Sequence, residues 1–227
     1  MNITILGSGA YGLALSKMFL ENNANITMYN KFNDNFPTLQ KQNPKLKFTD
    51  NLKESIQKSN LIVVAIPVTY LEETTIELKK YYNKQDIIVA SKGISIKDGL
   101  LATEIIEKHL NVPNIGAISG GTFAVDMENK KIMGLTLATK SEQIKAEVQK
   151  FLANKYLKIQ YTNDIIGIQI CGAIKNVMAI GFGILDGAKF PESSRFLFLT
   201  EAIYEIKNLI TLLGGNAETI MSYAGID

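Results

Sequence analysis

Residues 1–19, MNITILGSGAYGLALSKMF, decide the fold. A short apolar run, 3–6, leads into Gly7, Gly9 and Gly12 in the spacing G-x-G-x-x-G, and an apolar-periodic stretch with Leu13, Leu15, Met18 and Phe19 follows. In isolation that spacing is a weak signal, equally compatible with a plain turn before a helix. Strand, glycine turn, helix and then a second strand at 25–29 supply the context that a dinucleotide site requires. Gly7 permits the tight turn, Gly9 lets a pyrophosphate approach the backbone, and Gly12 lets the helix pack closely on the strand. The helix N-terminus adds unpaired N–H groups and roughly half a positive charge for the anion.

Further along, short β-branched runs alternate with amphipathic or charged segments. Strands are expected at 61–66, 87–90 and 115–118, and helices at 70–82 and 100–110. Such alternation implies parallel strands joined by crossovers, an α/β, doubly wound, Rossmann-like sheet. The polar stretch 30–60 is read as a loop, a short strand at 46–49 and a short helix at 52–57. A hairpin-like piece at 132–138, a helix at 141–153 and a last strand at 158–161 complete residues 1–163 as a dinucleotide-binding domain. From Asp164 the pattern turns entirely helical, so residues 164–227 read as the N-terminal part of an incomplete all-helical substrate domain. About 60 residues is short for a self-sufficient core, so a partner subunit or further chain is expected to complete it.

A 227-residue chain, 46% hydrophobic and 20% charged, is ordinary for a globular protein. Its net charge of +2 offers no electrostatic case for nucleic acid or for an anionic membrane. The single cysteine, Cys171, and the single histidine, His109, build neither a disulfide framework nor a metal site. The N-terminus shows no targeting segment, which makes the cytoplasm the expected location. The longest apolar stretches, 61–68 and 172–185, read as too short or too interrupted for a bilayer span of about 20 residues.

Ligands of a doubly wound sheet bind outside the carboxyl ends of its strands. Three loops are expected there: AIPVTY with Pro67, ASKGIS with Lys92, and ISGGTFA with Gly120, Thr122 and Ala124. Lys92 would set an ammonium over the cofactor cleft, or be a lysine in a surface turn. After the second strand comes Lys31 rather than a carboxylate. A basic residue there suits the 2′-phosphate of NADP, so NADPH is slightly favoured over NADH, with a solvated loop lysine as the other reading. Lys175 lies in the apolar stretch CGAIKNVMAIGFG, where an ammonium is costly unless it is paired or faces a polar cleft. Partial desolvation would bring its pKa toward neutrality and suit it to exchange a proton with a carbonyl or alcohol oxygen. Alternatively its stem packs while its head reaches water. Asn176 could orient substrate or Lys175, or bond a neighbouring backbone group.

Together GSGAYGLAL, AIPVTYLEE, ASKGI, ISGGTFA, GIQICGAIKNVMAIGFGILDG, LLGG and AGID resemble the bacterial-type NAD(P)-dependent glycerol-3-phosphate dehydrogenases, in the family's order along essentially the whole chain. The resemblance implies interconversion of dihydroxyacetone phosphate and sn-glycerol 3-phosphate, the backbone precursor of glycerophospholipids. It implies Lys175 as proton donor and acceptor, Lys92 in contact with cofactor and substrate, and Gly120, Thr122, Asn176 and Asp227 at the substrate. Ala10, Tyr11, Lys31, Pro67 and Ala124 would line the cofactor site beside the three glycines. A homodimer is a further expectation. Gly121 stands where the family has proline, AGID stands for A-G-x-G-D, and the family's phosphate-binding arginine lies beyond residue 227. Two alternatives follow: a truncated, non-catalytic dinucleotide binder, and a related hydroxyacid dehydrogenase.

Overall fold

The computed structural model describes residues 1–226, so Asp227 lies outside the described residues. Its strands are β1 (Asn2–Leu6), β2 (Asn25–Tyr29), β3 (Lys47–Thr49), β4 (Leu61–Val64), β5 (Asp86–Val89), β6 (Ile115–Ser119), β7 (Met133–Thr139) and β8 (Leu157–Thr162). They form one sheet in the order β3-β2-β1-β4-β5-β6-β7-β8. All neighbours pair parallel except β6 and β7, which run antiparallel. The central strands LIVV and DIIV are buried at every position, as expected of parallel strands covered on both faces.

Alternate residues feed two cores. Leu6, Ile62, Val64, Ile87 and Val89 pack on one face beneath α3 (Leu52–Ile56), α4 (Leu71–Lys79) and α5 (Ala102–His109). Ile3, Ile5, Leu61, Val63 and Ile88 pack on the other, beneath α1 (Ala10–Glu21) and α7 (Glu142–Phe151). The period of two along each strand sorts the side chains between these layers.

Two short helices were not among the expected elements. α2 (Phe36–Gln42) starts with a proline in its first turn and buries none of its residues, so it carries no apolar period to be read. α6 (Ala124–Glu128) is a single short turn of helix. The hairpin-like piece at 132–138 is instead one strand, β7, which pairs antiparallel with β6 and parallel with β8. Its far edge is reached through the α7 crossover, which is what makes the last pair parallel.

Beyond the sheet, α8 (Ile165–Gly187) and α9 (Glu192–Leu212) pack together, followed by a 3₁₀ segment at Ala217–Met221. The interruption expected in the apolar stretch does not occur: α8 runs unbroken for 23 residues and holds an 18-residue stretch of mean hydropathy 1.7, long and apolar enough by composition to cross a bilayer. Gly172 and Gly181 admit close neighbours without breaking it, a Cβ at Gly181 falling 2.6 Å from Phe198 Cζ. The buried part, Gly167 to Gly172, lies against the protein interior. Asp164 anchors this start. Its carboxylate caps α8 by accepting from Gly167 N at 2.9 Å, and also accepts from Asn216 N at 2.9 Å and from the Thr219 hydroxyl. A cap of this kind is worth about 1 kcal/mol and also fixes the rotation of α8 relative to the 3₁₀ segment.

Candidate active site

Because β1, β4, β5 and β6 are mutually parallel through one run of the sheet, the loops that follow them meet at one edge. There they enclose a cavity of about 780 Å³ that contains every residue expected at the cofactor: Gly7, Gly9, Ala10, Tyr11, Gly12, Lys31, Pro67, Lys92 and Ala124. The glycines divide the work. Gly7 has φ +113°, and a Cβ on it would fall 2.5 Å from Ala65 O; one on Gly12 would fall 2.3 Å from Gly7 O. Neither position has room. At Gly9, by contrast, no described atom lies within 4 Å of an added Cβ, which would project into open space.

Gly9 is also the N-cap of α1, where among the described residues no side chain caps the helix and no acidic residue occupies the first turn. The first N–H groups therefore remain available to an anion, on the positive end of the helix dipole. An open cradle over an uncapped helix, in a cavity of this size, fits a dinucleotide.

A second cavity, about 450 Å³, is lined by Lys92, Gly120, Thr122, Lys175 and Asn176, with Met178, Ile203 and Ile206 as an apolar wall. Lys92, Thr122 and Phe123 border both spaces. The two cavities are thus neighbours with a shared boundary. Sequence reasoning assigned all five of those polar residues to substrate, but missed the wall from α9, whose pattern says nothing of which cavity it faces.

The boundary is built by contacts between loops. The Tyr11 hydroxyl lies 3.0 Å from Thr122 Oγ1, joining the start of α1 to the loop after β6. Burial raises the Tyr11 phenol's pKa, and the bond to Thr122 opposes that shift. Ser91 donates to Ile66 O at 2.6 Å, tying the loop with Lys92 to the loop with Pro67. Lys92 Nζ stands 5.8 Å from the Tyr11 ring centroid. By surface area Lys92 is exposed, yet the protein atoms crowded around it desolvate the ammonium and hold its pKa below the ordinary lysine value.

Lys175 reaches this place through Gly172. A Cβ there would lie 2.8 Å from Ser119 Oγ and 3.8 Å from Lys92 Cγ, so α8 crosses the end of β6 at glycine distance. Lys175 follows three positions later, on the same helix face. Its Nζ is buried rather than carried out to water, against the alternative in which only the stem packs. The neighbouring Cys171 thiol is pushed up to about 11 by burial, with the Lys175 charge acting in the opposite direction, which keeps it a protonated core group.

Lys31 lines the first cavity but is not alone there. Its Nζ makes an ion pair of 2.6 Å with Glu73 Oε1, from α4. Glu73, Thr74 and Tyr70 on this rim were not foreseen, since a ribose-binding carboxylate is ordinarily sought just after the second strand.

Comparison with known proteins agrees with this geometry. Residues 2–145 match the family profile described as NAD-dependent glycerol-3-phosphate dehydrogenase N-terminus, and residues 164–227 match the corresponding C-terminus. The chain is 30% identical to glycerol-3-phosphate dehydrogenase (NAD(P)+) of Thermotoga sp. strain RQ2, with 100% of this chain and 71% of the relative covered. It is 32% identical to the enzyme of the same name from Francisella tularensis subsp. novicida, covering 97% of this chain and 70% of the relative. The crystal structure of glycerol-3-phosphate dehydrogenase from Coxiella burnetii superposes with a TM-score of 0.93 at 25% identity, over 99% of this chain and 73% of that one.

Proposed function

The chain belongs to the NAD-dependent glycerol-3-phosphate dehydrogenase family, and from that membership we propose a reaction in which Lys175 exchanges the proton. It is an NAD(P)-dependent oxidoreductase that interconverts dihydroxyacetone phosphate and sn-glycerol 3-phosphate, a small-molecule chemistry that serves glycerophospholipid synthesis. The observation that carries the assignment of roles is the common border of the two cavities at Lys92 and Thr122, with the Lys175 Nζ buried on the substrate side.

In this reading the N–H groups at the start of α1 hold the pyrophosphate, with Gly9 leaving room for it. When bound, the dihydronicotinamide supplies a hydride to the ketone carbon. Lys175 as an ammonium gives its proton to the oxygen on that carbon, and as an amine takes it back in the reverse direction. Lys92 supplies positive charge between cofactor and substrate phosphate, while Thr122 and the backbone at Gly120 orient the substrate. Asn176 completes the substrate side, and Asp227, outside the described residues, is assigned there too. General acid–base help of this type is worth about 10²–10⁴-fold in rate.

Residues 1–163 are proposed as the dinucleotide-binding domain and 164–227 as the helical substrate domain, supported by the sheet's last strand ending at Thr162 and α8 starting at Ile165. A protein that binds no nucleic acid is proposed from the low net charge, and a cytoplasmic, membrane-free one from its kinship with the glycerol-3-phosphate dehydrogenases. A homodimer is proposed as its assembly, supported by the apolar side chains Val177, Ile180, Ile184 and Leu197 that α8 and α9 leave exposed. Sedimentation velocity should then give twice the 25.1 kDa chain mass, and a single-chain mass at micromolar concentration would refute it.

The direct test of the activity is oxidation of NADH or NADPH by the purified chain with dihydroxyacetone phosphate. Turnover that requires the phosphorylated ketone is expected. Saturable dinucleotide binding with no turnover at high protein concentration would overturn the catalytic assignment in favour of a binding-only protein.

A further inference from the structure

We propose that Glu73, delivered to the rim of the nucleotide cavity from α4, reads the adenosine ribose and makes this chain select NAD(H) over NADP(H). The inference rests on the dinucleotide reading of that cavity. It runs against what Lys31 suggests when the sequence around β2 is considered alone.

Lys31 and Glu73 border the same cavity, with Nζ and Oε1 2.6 Å apart. Glu77, one helical turn beyond Glu73, borders it too. Both carboxylates act on Lys31, Glu73 most strongly, and hold its pKa above the ordinary lysine value. The Tyr29 phenol, at the end of β2, is raised chiefly by burial, with Glu77, Asp50 and Glu73 adding to the shift. The adjacent Glu72 is committed elsewhere, bonded to Lys97, Lys108 and His109. Lys31 therefore faces Glu73 and Glu77, while the other lysine lining this cavity, Lys92, lies on the border with the second cavity.

The 2′-phosphate of NADP is close to a dianion at neutral pH. It would compete with Glu73 for Lys31 and bring its charge toward two carboxylates. Like charges so placed discriminate strongly against a ligand. The 2′- and 3′-hydroxyls of NAD are donors, and a carboxylate accepts from them in charge-assisted hydrogen bonds. Glu73 thus fills by tertiary contact the role that a carboxylate after the second strand fills in other dinucleotide folds. Lys31, already paired, holds that carboxylate in place instead of receiving a phosphate.

The test is binding, measured by calorimetric titration of NADH and NADPH, and of 5′-AMP and 2′,5′-ADP as half-ligands, to the full chain and to Glu73→Gln. The parent should bind NADH at least about tenfold more tightly than NADPH. Glu73→Gln should bring the ratio to unity or invert it, by strengthening NADPH and 2′,5′-ADP while weakening NADH. The Glu73 side chain is 67% exposed, so the variant should keep the parent's thermal midpoint. NADPH bound as tightly as NADH by the parent, or an unchanged ratio in Glu73→Gln, overturns the role of Glu73 and leaves the dinucleotide site intact. Failure of both dinucleotides to bind would remove the site itself and this inference with it.

Discussion

Lys175→Ala should lower the rate of dihydroxyacetone phosphate reduction by about 10²–10⁴-fold while NADH and NADPH bind as they do to the parent. The separation of effects follows from where the side chain lies. Lys175 borders the smaller cavity and not the nucleotide cavity, so its removal leaves the cradle at Gly9 untouched. Its Nζ is buried, so bulk water does not readily replace the proton it supplies to the forming alkoxide. Lys175→Met is the stricter variant, since it keeps most of the apolar stem and removes the ammonium. Both should lose kcat far more than they raise KM, the pattern of an interaction made chiefly in the transition state. Normal turnover by either variant, with circular dichroism showing a folded chain, would refute the assignment.

Gly9→Val should weaken dinucleotide binding by about 10- to 100-fold with little change in thermal midpoint, whereas Gly12→Ala should lower the midpoint. The contrast rests on what each new Cβ meets. At Gly9 it meets no described atom within 4 Å, so the free protein has nothing to displace and only the bound pyrophosphate is obstructed. At Gly12 it meets the carbonyl oxygen of Gly7 at 2.3 Å, a backbone atom that cannot swing aside. Overpacking of that sort costs about 1–3 kcal/mol. In a chain of this length each kcal/mol lowers the midpoint by about 2–4 °C, so a fall of about 2–12 °C is expected. Parent-like affinity in Gly9→Val, by fluorescence titration, would show that the pyrophosphate does not rest on α1.

Much of this architecture is legible along the chain because it follows from local periodicity. The runs LIVV and DIIV are apolar at nearly every position, and only strands covered on both faces bury such runs. The glycine fingerprint is informative because a strand precedes it and a helix follows it. Lys175 stands out because an ammonium among apolar neighbours demands a partner or a cleft. Where periodicity is missing, legibility ends. α2 buries nothing and shows no pattern, and β7 looks like half a hairpin because nothing local reveals that its other neighbour is β8, reached through α7.

By itself, then, the sequence determined the doubly wound sheet, the glycine turn before α1 and most of the residues that line the two cavities. These depend on residues close together in the chain, whose spacing matches the repeat of a strand or the turn of a helix. Only the tertiary structure decided that Lys92 and Thr122 separate the two cavities, that Asp164 fastens α8 to the segment at Ala217–Met221, and that Glu73 sits on Lys31. Such pairings join residues tens of positions apart. They are set by the summed packing of both cores, which no short stretch encodes.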